Sequence, residues 1–114
     1  MTAVIEPAMV RFEGIASGTE IWGGTQADFT IQAEGWPAKE AAVLLNDPAA
    51  AMLAEAVGRE NTEEFRRAAA EAAGRVVFEL EAARRGSIDS LVMVSKAYFD
   101  LNPGVFERVK ALLT

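Results

Sequence analysis

One stretch constrains this chain more than any other. Between Asn61 and Gly86, the residues Phe65, Ala69, Ala72, Val76, Leu80 and Ala83 recur at spacings of three and four, the period of one helix face. Asn61 can cap the start, Glu64 follows three residues on as in a capping box, and Gly86 can close the end. A helix over 62–85 is ~36 Å long. In a chain of 114 residues the remaining elements have to pack along it. Alanine favours this arrangement: there are 22, each losing no side-chain entropy in a helix and letting a neighbour approach closely. Glu63, Arg67, Glu71, Arg75 and Glu79 alternate in sign at spacing four, the pattern of a solvated, ion-paired face. Phe78 interrupts that face. At 100° per residue it falls among Arg67, Glu71 and Arg85, where an aromatic ring is either covered by another element or held for a partner. Phe78 is therefore a candidate contact residue.

The first third of the chain has a different period. In 8–16, Val10 and Phe12 alternate with Arg11 and Glu13, which predicts a strand, with Gly14 as a bulge. Ser17-Gly18 reads as a turn, 19–22 as a short second strand, and Gly23-Gly24 as another turn. In 27–34, Phe29, Ile31 and Ala33 alternate with Asp28, Thr30, Gln32 and Glu34. The expected result is a three-stranded antiparallel meander with one wet, acidic face carrying Glu13, Glu20, Asp28 and Glu34, and with Trp22 exposed on its outer side. Beyond Pro37 the pattern reads as helical throughout. A short helix is expected over 38–45, then one over 48–57 capped by Asp47 and stopped by Gly58, then the long helix. For 87–101 a buried strand at Leu91-Val92-Met93-Val94 competes with a helix, and length favours the helix. Asn102-Pro103 opens a last helix that would bury Val105, Phe106, Val109, Leu112 and Leu113. The fold class expected is α+β: one domain over 1–114, strand-rich in 8–34 and helical in 37–114, with a small N-terminal meander against four or five helices.

Composition removes many functions. There is no cysteine and no histidine, so thiol nucleophiles, disulfides, Ser-His triads and most transition-metal sites are excluded. The net charge is −6, which argues against direct binding to nucleic acid. All of that excess lies in 1–57, where eight acidic residues face two basic ones. Ser17-Gly18-Thr19 and Gly23-Gly24-Thr25 are glycine-rich but lack the lysine and following helix of a phosphate loop, so they read as turns. Glu60, Glu63 and Glu64 sit where carboxylates belong, at a helix N-terminus. The acidic sheet residues have no spacing typical of a calcium loop. Lys39, Lys96 and Tyr98 could serve as nucleophile or acid only if buried, and the ordinary reading is a lysine with its head in water. Arg66-Arg67 and Arg84-Arg85 lie among glutamates, which favours pairing along the helix over a nucleic-acid surface. The N-terminus has no basic, leader-like start, and no apolar run is long enough to span a bilayer, so the expected compartment is the cytoplasm.

These readings predict no catalytic residue, no metal site and no cofactor. The function expected is a non-enzymatic protein–protein interaction module or a subunit of a small assembly, bound to a protein partner or to further copies of itself, with no membrane or direct nucleic-acid partner. Trp22 and Phe78 are the apolar candidates, and Glu13, Glu20, Asp28 and Glu34 the charged ones. An alternative is an acidic inhibitor or adaptor of the phage or mobile-element kind, occupying a basic site on a nucleic-acid-binding protein. A small ligand-binding domain or enzyme using carboxylates, Lys or Tyr ranks third.

Overall fold

A computed structural model describes residues 9–18, 22–32, 37–83 and 88–114. Its elements run β1 (Met9–Ile15), β2 (Gly24–Gln32), β3 (Lys39–Asn46), α1 (Asp47–Val57), α2 (Glu63–Ala83), β4 (Leu91–Val94), α3 (Lys96–Leu101) and α4 (Pro103–Leu113). The fold class is α+β. The strands form one sheet in the order β1-β2-β3-β4, antiparallel except for the parallel pair β3–β4. A parallel neighbour cannot be reached by a hairpin, and α1 with α2 supplies the long crossover.

The β1 alternation holds: Val10 is buried while Arg11 and Glu13 point out, and the register slips between Phe12 and Gly14, where a bulge sits. The other two expected strands change. Trp22 lies outside any strand, and 19–21 fall outside the described residues. The second strand is Gly24–Gln32, and the third is Lys39–Asn46, a segment whose alanines and leucines had suggested a helix. The reason is position. β3 is flanked by β2 and β4, and Ala41 through Leu45 are all buried, so it needs a continuous apolar run instead of an alternating one. Likewise 87–101 is not one helix. Leu91–Val94 is the strand that pairs with β3, and Ser95 then caps the short α3, its Oγ accepting from the Tyr98 N–H at 3.1 Å.

The starts of two helices depart from expectation by one residue, while the Gly58 stop is found as expected. Asn46, not Asp47, caps α1, its Oδ1 accepting from the Ala49 N–H at 3.0 Å. Gly58 ends α1 in the left-handed region at φ 67°, with Gly58 N–H donating to the Glu55 carbonyl and Arg59 N–H to that of Ala54. Thr62, not Asn61, caps α2: its Oγ1 accepts from the Phe65 N–H at 3.0 Å, and Phe65 leaves no glutamate to complete a capping box. Asn102 does not cap α4 through its side chain, which turns back to donate to the Tyr98 carbonyl at 2.9 Å. Leu112, expected in the core, is exposed, whereas Val105, Val109 and Leu113 are buried.

α2 is the central element. It packs on β1, β2 and β3 and is flanked by α1 and α4. Phe65, Ala69, Ala72 and Val76 of the expected stripe are buried, and so are Ala70, Ala73, Gly74, Val77 and Phe78. Phe78 is 0% exposed, with its ring 5.6 Å from that of Phe29 on β2. It is a core residue and its candidacy as a contact residue ends there: the sheet covers the side of α2 that a wheel drawn for the helix alone leaves to solvent. The charge ladder is also drawn off by its surroundings. Arg67 pairs with Glu63 at 2.9 Å, but Arg75 donates to the Val10 carbonyl, and Glu79 meets Arg108 of α4 at 3.9 Å.

Candidate outer-face interface

The helices contribute to one hydrophobic cluster with Val10, Phe29, Ile31, Ala41, Val43, Leu45 and Val94. These residues define the inner face of the sheet. The alternate residues define the outer face: Arg11 and Glu13 on β1, Gln26, Asp28 and Thr30 on β2, Glu40, Ala42 and Leu44 on β3, and Leu91 and Met93 on β4.

That face has two halves. Toward β1 and the start of β3 it is polar: Glu13, Asp28, Thr30, Glu40 and Ser90 line a shallow, open depression. Arg11 Nε donates to Glu13 Oε1 at 2.6 Å, and Gln26 Nε2 to Asp28 Oδ1 at 2.9 Å. The Arg11 hydrogen bond, with help from Thr30, holds the Glu13 carboxyl below its ordinary value of 4.5. Among the described residues no group of three carboxylates is placed to hold a metal ion. Toward β4 the face is apolar. Ala42 stands beside Leu91 and Leu44 beside Met93. Ala42 and Leu44 are covered by their neighbours, but Leu91 is 52% and Met93 55% exposed.

The structure therefore brings Glu13 and Asp28 to one face, as the alternation indicates. Glu20 and Glu34 lie outside the described residues. Trp22 is 73% exposed but stands apart from the depression, just before Gly24 at the far end of β2 from Thr30. Lys39 Nζ donates to the Ile88 carbonyl and so ties β3 to the segment that leads into β4. Lys96 is exposed at the opposite end of the β3–β4 pair. Arg66 donates to the backbone and side chain of Asn61, and Arg84 and Arg85 are outside the described residues. Sequence reasoning missed Glu40, Ser90, Leu91 and Met93. The four-residue run at 91–94 was the available signal, and its meaning depended on a strand 49 residues away in the register.

What the fold and this face define is a class: an α+β domain in which, among the described residues, one sheet face has no helix packed on it and the sheet ends in a short, apolar strand. No family model matches the chain, and searches of the curated proteins and of the solved structures return no match. Among the described residues no helix is long and apolar enough to cross a membrane.

Proposed function

We propose that this chain is a non-enzymatic protein–protein interaction module, or a subunit of a small cytoplasmic assembly, that contacts other protein through the β4 side of its outer sheet face. The observation that supports the reading is the pair Leu91 and Met93, two large apolar side chains half exposed beside Ala42 and Leu44 on a face that no described helix covers. Trp22 and Leu101, both strongly exposed, add apolar surface outside the sheet. The reading is tested by chemical cross-linking of the tagged protein in lysate of its source, with Leu91→Lys and Met93→Lys as controls. The complex should survive high salt and disappear in both variants. A complex unchanged by both substitutions would overturn it.

A second reading rests on Glu13, Asp28 and Glu40 lining one depression. An acidic inhibitor would place that half of the face on a basic site of a nucleic-acid-binding protein. Its association would then slow steeply with salt and would be weakened by neutralising Glu13, Asp28 and Glu40 together, not by Met93→Lys.

A further inference from the structure

Among the described residues β4 ends the sheet, and no described strand lies on its other side. Ala42 N–H donates to the Ser90 carbonyl at 2.9 Å, which fixes the direction of the ladder. Main-chain groups alternate along a strand, so Ser90, Val92 and Val94 aim theirs at β3, while Leu91 and Met93 aim an N–H and a C=O each away from it. Neither Leu91 nor Met93 makes a backbone hydrogen bond to another described residue outside the sheet. Apart from being short, the strand carries no feature that blunts an edge: Leu91–Val94 reads LVMV, without charge, proline or bulge.

We infer that the partner of this edge is a second copy of the chain, the two β4 strands pairing antiparallel about a twofold axis at Val92 to join two four-stranded sheets into one. The inference rests on the interaction reading above and names its partner. Three features of the strand support this register. Leu91 of one copy stands opposite Met93 of the other, and both are outward-pointing residues, so their N–H and C=O groups are satisfied reciprocally on both sides of the axis. Side chains opposite one another must share a face, and here Leu91 and Met93 of the two copies form one apolar row on the outer face, continuous with Leu44 and Ala42. The ends of the strand also match in charge. Asp89 precedes β4 and Lys96 follows it, both are exposed, and neither has an ion-pair partner within its own chain among the described residues. Antiparallel pairing places Asp89 opposite Ser95, next to Lys96 of the other copy, twice. A shift by two residues in either direction would set Leu91 or Met93 against a polar residue and break both matches.

The contact is small, so the dimer should be weak and reversible. Sedimentation from about 10 µM to about 1 mM is expected to show monomer–dimer exchange. Met93→Lys, at a site exposed enough to leave the fold intact by circular dichroism, should be monomeric throughout. Asp89→Lys and Lys96→Asp should each weaken the dimer about tenfold or more, and the double exchange should restore it. A wild type that stays monomeric at about 1 mM, a dimer that persists in Met93→Lys, or a double exchange no tighter than either single one would overturn the inference. If the wild type is monomeric while Met93→Lys still abolishes a complex with another protein, the interaction reading stands and the second copy does not.

Discussion

Gly74 shows most directly what a single residue decides here. Glycine inside a helix costs about 1 kcal/mol relative to alanine, and α2 is otherwise rich in alanine. The structure supplies the reason for it: a Cβ at this position would lie 2.1 Å from Cε1 of Phe29. The Phe29 ring cannot swing aside, because it is buried between Phe12, at 5.5 Å, and Phe78, at 5.6 Å. Gly74→Ala should therefore destabilise the protein by ~1–3 kcal/mol in urea denaturation despite its better helix propensity. Phe78→Ala should cost more, ~3–5 kcal/mol, by opening a cavity under the same ring. On the outer face, Glu13 should titrate below 4.5 by NMR, and Arg11→Ala should bring it back up by removing the hydrogen bond to the carboxylate. The sign follows from a lowered native pKa. The small stabilisation is present above the unfolded value, neutral pH included, and is lost only in acid, as pH falls through the native value.

At the level of elements, sequence patterns were reliable where the partner was local and failed where it was distant. The β1 alternation, its bulge, the Gly58 stop and most of the α2 stripe depend on residues within a turn or two, and all are found in the structure. The caps were displaced by one position because Asn46 and Thr62 compete with their neighbours for the same helix N–H groups, and only the backbone angle entering the helix selects between them. Thr62→Ala should cost ~1 kcal/mol of stability, and Asn61→Ala distinctly less. β3 and β4 were illegible for another reason. An apolar run of four or five residues suits a buried strand and a buried helix equally, and the choice lies in pairings between residues 42–45 and 91–94. The direction of the β4 ladder has a direct check in amide exchange. In dilute protein the Val92 and Val94 amides should be protected, and those of Leu91 and Met93 should exchange rapidly.

At the scale of the whole molecule, the arrangement of layers sets what the surface can do. All the described helices pack toward one face of the sheet, so the other face carries the consequences of strand alternation with no described helix over it. That face divides into acid near β1 and apolar surface near β4, and the two function readings divide with it. Raising ionic strength separates them: binding through Leu91 and Met93 should persist at high salt, and binding through Glu13, Asp28 and Glu40 should not.

By itself the sequence determined the lack of cysteine and histidine, the α+β class, the long helix and its small-residue stripe, and the wet, acidic side of the first strands. Those follow from composition and from periods of two and 3.6, which are local properties of a chain. Tertiary structure alone decided that 39–46 is a central strand, that 91–94 joins it in parallel, that Phe78 lies under the sheet, and that Leu91 and Met93 are left outside. Each of these is settled by which surface covers which, and covering is a relation between segments far apart in the chain that no local pattern encodes.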